Sequence, residues 1–103
     1  MIIYVDIDET ICDYPTKRDT SKPGDYSTAR PITKHIDKIN KLYDEGNEIV
    51  YYTARGALTG IDYYDLTKQQ LNDWEAKHHK LSVGEKPYYD LLVCDKTKRI
   101  EEI

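Results

Sequence analysis

Three short apolar runs in this chain each close on a polar residue. They read IIYVD at residues 2–6, EIVYYT at 48–53 and DLLVCD at 90–95. β-Branched and aromatic residues dominate the runs, so each is expected to form a buried strand. Between the first two lies a helical pattern. Pro31 suits a first helical turn, Ile32, Ile36, Ile39 and Leu42 or Tyr43 recur at helical spacing, and Gly46 supplies the stop. A second helix is expected from Leu66 to Lys80, with Leu71 and Trp74 toward the core and Asp65 or Thr67 near its start. Leu81 to Val83 reads as a further short strand, and the tail TKRIEEI as a last helical turn or short helix.

Strands alternating with helices point to an α/β fold with a parallel sheet. Right-handed crossovers align such strands, and ligands bind beyond their carboxyl ends. Asp6, Thr53 and Asp95 are therefore expected at one edge of the sheet. A chain of 103 residues fits one domain, taken here as residues 1–103. The stretch Ile11 to Arg30 carries prolines, a Pro-Gly pair and many polar residues, and reads as a long loop or flap.

The net charge of -4 argues against a duplex DNA binder. The ten tyrosines are spread along the chain, which suits half-buried strand and helix-edge positions better than a stacking platform for bases. Cys12 and Cys94 form no CxxC and have no histidine at ligand spacing, so both are expected as reduced thiols in a cytoplasmic protein. No apolar stretch approaches the length that spans a bilayer, so no membrane partner is expected.

Asp6 and Asp8 sit one residue apart after the first strand, where two carboxylates repel unless a cation or proton holds them. With Asp95 they offer hard oxygen ligands suited to Mg²⁺, which favours few carboxylates, waters and a substrate phosphate. The Thr53 hydroxyl and backbone N–H groups at Ala54 suit phosphate oxygens. Arg55 offers a planar fork for a substrate anion, and Lys86 a point charge for a phosphate. Arg30 and residues 58–64 are further candidates for substrate contact. Lys17, Arg18 and Lys22 in the flap would attract an anion or simply be solvated.

These residues resemble the four motifs of the haloacid dehalogenase-like (HAD) phosphohydrolase superfamily. The first, Asp-x-Asp-x-Thr/Val after an apolar strand, stands here as IIYVDIDET; the second as EIVYYTAR; the third as Lys86; the fourth as DLLVCD. All four occur in order. The runs TARGALTGID, LTKQQLNDW and KPYYDLLVCDK are similar to very short members of the superfamily associated with capsule or polysaccharide biosynthesis. The resemblance covers Ile2 to about Ile100.

The resemblance implies a Rossmann-like, HAD-like domain without a cap domain. It also implies a Mg²⁺-dependent phosphomonoesterase acting on a phosphorylated small metabolite, a sugar or polyol phosphate, through an aspartyl-phosphate. Asp6 would be the nucleophile, and Asp8 the general acid and then base. Asp6, Asp95 and the backbone carbonyl of Asp8 would hold the metal. Thr53, Ala54 and Lys86 would hold the phosphate, with Lys86 also neutralising Asp6. The fourth motif often has two adjacent acids, and Cys94 takes the first place here; Glu85 and Asp90 are partial substitutes. An open, capless site suits a bulky substrate, a second copy of the chain, or a partner enzyme that closes it. Two alternatives stand beside this reading: a phosphatase of nucleotide or polynucleotide ends, and a non-catalytic metal- or phosphate-binding module.

Overall fold

The structure is a computed structural model; it describes residues 1–15, 26–57 and 60–84, and the backbone of 91–93. In chain order, β1 is Ile2–Asp6, β2 Cys12–Asp13, β3 Arg30–Pro31, α1 Thr33–Asp44, β4 Glu48–Thr53, α2 Tyr64–Asp73, β5 Lys80–Val83 and β6 Leu91–Val93. A short 3₁₀ turn, Tyr26–Thr28, precedes β3.

β1, β4, β5 and β6 form one parallel sheet in the order β5-β4-β1-β6. The fold is therefore α/β with a parallel sheet and, among the described residues, two α-helices. Pairing aligns Asp6 with Tyr52 and Val5 with Val93. From β1 the chain steps outward to β4 and β5, then returns to the far side of β1. The strand order thus reverses between β1 and β6, the kind of place where open α/β sheets bind ligands.

Alternate residues of the central strands face the helices. Ile3 and Val5 of β1, Ile49 and Tyr51 of β4, Ile36 and Ile39 of α1, and Leu71 of α2 form one buried cluster, with Ile7, Ile11 and Cys12 at its edge. Two successive crossovers in one direction put both helices on the same face, as right-handed connections require.

Both helices end in the same way. Gly46 (φ 98°) follows α1, with its N–H on Tyr43 O and the Asn47 N–H on Leu42 O. Glu75 (φ 55°) follows α2, with its N–H on Asn72 O and the Ala76 N–H on Leu71 O. This paired closure needs a left-handed residue, normally glycine. The second helix consequently stops at Asp73 and not at Lys80: Glu75 turns the chain, and His79 already donates to Ile49 O at 2.9 Å on the way into β5.

Two other expectations are corrected at the front of the fold. Pro31 does not open α1; it pairs with Cys12 in a two-strand antiparallel ladder, and α1 starts at Thr33. A residue without an N–H is tolerated in so short an edge strand. The stretch 11–30 is therefore not loop throughout, since β2 and β3 close its neck. Residues 16–25, with Lys17, Arg18 and Lys22, lie outside the described residues, as do 58–59, 85–90 and the tail 94–103.

Candidate functional site

β1 ends at Asp6 and the neighbouring β4 at Thr53, so pairing alone brings both to the carboxyl edge of the sheet. Asp6 is half-buried, and its Oδ1 accepts the N–H of Ile7 at 2.9 Å. The chain then turns sharply. Thr10 and Ile11 both donate to Ile7 O, Glu9 adopts φ 63°, and the Glu9 N–H reaches Cys12 O at 3.0 Å. This turn points Asp8 inward, toward the end of β4.

The Asp8 carboxylate is the centre of the described site. Thr53 Oγ1 donates to Oδ2 at 3.2 Å and Tyr14 Oη to Oδ1 at 2.5 Å. Arg55 Nη2 donates to Oδ1 at 2.8 Å, and Arg55 Nε lies 3.1 Å from Oδ2. The Asp8 side chain is 15% exposed and that of Arg55 is fully buried. Burial acts against the Arg55 charge, but the hydrogen bonds and negative charge of Asp8 outweigh it and raise its pKa. Burial pushes the Tyr14 phenol above its usual range, and the Asp8 charge adds to the effect. Burial and then Asp8 likewise push the Cys12 thiol up to about 12, which makes it an inert thiol at neutral pH.

The remaining Arg55 donors are also used. Nη1 donates to Gln70 Oε1 at 2.7 Å and to Thr67 Oγ1 at 3.1 Å, while Nη2 also lies 3.3 Å from Tyr14 Oη. An arginine has five N–H groups, and in this arrangement each one meets a protein acceptor. The Tyr26 ring lies 4.7 Å from Cζ, and Gln70 Nε2 holds Tyr26 O at 2.7 Å. The expectation that Arg55 offers a fork to a substrate anion is thus corrected: its fork closes on Asp8 and α2. Arg30 is exposed, with Nε on Asp13 Oδ1 at 3.2 Å and Nη2 on Tyr14 O at 3.2 Å. It staples the neck between β2 and β3.

Thr53 Oγ1 accepts the Arg55 N–H at 3.2 Å while donating to Asp8, and Ala54 is exposed beside it. Gly84, just past β5, donates to Thr53 O at 2.7 Å. Lys86 and Asp95 lie outside the described residues, as does Cys94. Among the described residues no three His, Cys, Asp or Glu side chains form a metal-binding group. The oxygen chemistry fits Mg²⁺ in kind: Asp6 presents a half-buried carboxylate at the sheet edge, next to the Asp8 backbone. The Asp8 side chain is already neutralised by Arg55, which leaves its carbonyl as the suitable donor.

Tyr14, Tyr26, Thr67 and Gln70 were not anticipated as part of this site. Thr67 and Gln70 carried one signal, namely two polar residues three apart on the buried face of α2, Thr67 one turn before Leu71 and Gln70 next to it. Away from the site, a concavity of about 380 Å³ lies beside the end of α2, lined by Asn40, Leu71, Asn72, Glu75, Ala76 and Lys77. Asn40 there holds the turn after α2, through Glu75 O and the Lys77 N–H.

No protein-family model matches the chain, and no curated protein matches it. In fold it is similar to a structural-genomics target from Vibrio cholerae known from its crystal structure. That likeness has a TM-score of 0.70 at 23% sequence identity, over 98% of this chain and 85% of the other. No helix among the described residues is long and apolar enough to cross a membrane.

Proposed function

We propose that this chain is a capless HAD-like phosphomonoesterase, Mg²⁺-dependent and cytoplasmic, acting on a phosphorylated small metabolite such as a sugar or polyol phosphate. One observation carries the reading. The acid of the first strand and the hydroxyl of its neighbour, Asp6 and Thr53, end side by side at the carboxyl edge, next to the reversal of strand order. That is where an α/β sheet of this order would receive a ligand.

In this reading an Asp6 oxygen attacks the phosphorus, and the bond to the leaving oxygen breaks as Asp8, in its protonated form, supplies the proton. Water then attacks the aspartyl-phosphate, Asp8 takes the proton of that water, and the electron pair of the breaking P–O bond returns to Asp6. Thr53 and the N–H of Ala54 orient the phosphate, with Lys86 as a further cation. Asp6, the Asp8 carbonyl and Asp95 would hold Mg²⁺, which supplies charge neutralisation for an anion attacking an anion. Cys12, a buried free thiol, agrees with a reducing compartment. A domain without a cap would leave the site open to a bulky substrate, a second copy or a partner enzyme.

The test is phosphate release from phosphosugars, glycerol phosphates, nucleotides and 3′-phosphorylated oligonucleotides, with Mg²⁺, with chelator, and in Asp6→Asn. Mg²⁺-dependent release from a sugar or polyol phosphate, lost in Asp6→Asn, is expected. Preference for an oligonucleotide end would move the substrate class to nucleic acid. Silence across the panel from folded protein would sink the enzymatic reading.

A further inference from the structure

Asp8 is surrounded by donors. Tyr14 Oη, Thr53 Oγ1, and Arg55 Nε and Nη2 all point their hydrogens at its two oxygens. A carboxylate held in this way is an acceptor fixed in position. Arg55 is itself pinned on three sides: by Thr67 and Gln70 of α2, by Tyr26 across its face, and by its own place at the end of β4. Its side chain has no exposed surface and no N–H left for a ligand.

We propose that Arg55 is a positioning residue, resting on the phosphomonoesterase reading: it holds the Asp8 carboxylate to accept a proton from the water that attacks the aspartyl-phosphate. In that step the water oxygen bonds to phosphorus, the bond from phosphorus to the Asp6 oxygen breaks with its electron pair returning to Asp6, and the proton passes to Asp8. Arg55 touches neither phosphorus nor water. It acts by keeping one oxygen of Asp8 from turning away, and α2 serves as the wall it is braced against. A lysine cannot replace it, because an ammonium lacks the planar fork that spans Asp8 and α2 together.

The role has a kinetic signature. A defect confined to breakdown of the phosphoenzyme lowers kcat and KM by the same factor and leaves kcat/KM unchanged. The probe is p-nitrophenyl phosphate, whose leaving group departs without a proton, so that formation of the phosphoenzyme is independent of Asp8. Rapid mixing of Arg55→Lys with this probe and Mg²⁺ is expected to give a burst of p-nitrophenolate, one equivalent per chain, then a steady rate about 100-fold below that of the unaltered protein. Mass spectrometry of the quenched variant is expected to show one added phosphoryl group. Thr67→Val, which touches Arg55 and is nearly isosteric, is expected to show the same pattern with a smaller loss, and it decides the matter should Arg55→Lys not fold.

A fall in kcat/KM without a burst would overturn the inference and make Arg55 a structural or substrate-binding residue. Unchanged kinetics in a folded variant would overturn it as well. If the unaltered protein shows no Mg²⁺-dependent turnover of the probe, the phosphomonoesterase reading itself fails, and the inference with it.

Discussion

Removing the Asp8 side chain leaves the Arg55 guanidinium buried beside Tyr14, Thr67 and Gln70 without its counter-charge. Breaking a buried ion pair from one side is costly, so Asp8→Ala is expected to lose about 3 kcal/mol in urea unfolding. The Arg30–Asp13 pair is half-exposed at both ends, and Asp13→Ala should lose less than about 1 kcal/mol in the same measurement. Similar losses for the two would contradict the buried network described above. At Cys12, a thiol raised to about 12 is almost wholly protonated at pH 8. Its labelling by a disulfide reagent should therefore follow unfolding, and rapid labelling of the native protein would show the site to be open. Asp6, Asp8 and Thr53 were legible in the sequence because a strand end is a position that apolar patterning reveals. The partners of Arg55 were not. Its contacts lie at sequence separations from 12 to 47 residues, and no local pattern records that an arginine will be buried. Lys86, Asp95 and Cys94 lie outside the described residues and carry only their sequence-based roles.

At the level of elements, β1 and β4 appear with the bounds that their composition implies, and α1 stops at Gly46 as expected. The end of α2 was misread because a glutamate fills the left-handed position that glycine normally marks. An L-residue pays about 1 kcal/mol there. Glu75→Gly should accordingly raise stability by about that amount in chemical denaturation, and a loss would mean that the Glu75 side chain itself stabilises the turn. His78, just beyond, adds a pH response. Its Nδ1 lies 2.8 Å from Ala76 O and its Nε2 2.9 Å from Lys68 Nζ, so Nδ1–H donates and the neutral Nε2 accepts from the ammonium. Burial lowers the pKa of His78 below 6.5, and Lys68 adds to this. The unfolded chain then takes up a proton before the folded one, so stability is complete above pH 6.5 and falls as the pH drops through that value. His78→Gln should flatten this part of a stability–pH profile, and an unaltered slope would assign the dependence to other groups.

On the scale of the whole molecule, the sheet order brings strand ends from distant parts of the chain to one edge. A cation held there only by the folded state stabilises the fold by mass action. Mg²⁺ at 100 times its dissociation constant should add about 2.7 kcal/mol, read as a rise in Tm that Asp6→Asn abolishes. An equal rise in that variant would place the ion elsewhere. The parallel sheet was legible from the alternation of elements. The short β2–β3 ladder was not, because two-residue strands lack the length to show a period and Pro31 imitates a helix start.

Strand β1 is flanked by β4 and β6, and β6 comes from the far part of the chain. During synthesis β1 is made well before β6, so it gains its second neighbour late. Until residues 91–93 emerge, one side of Ile3–Val5 offers unpaired backbone groups to any other extended chain. That invitation stays open for the time between synthesis of β1 and docking of β6, and in that interval pairing with another extended chain competes with native pairing.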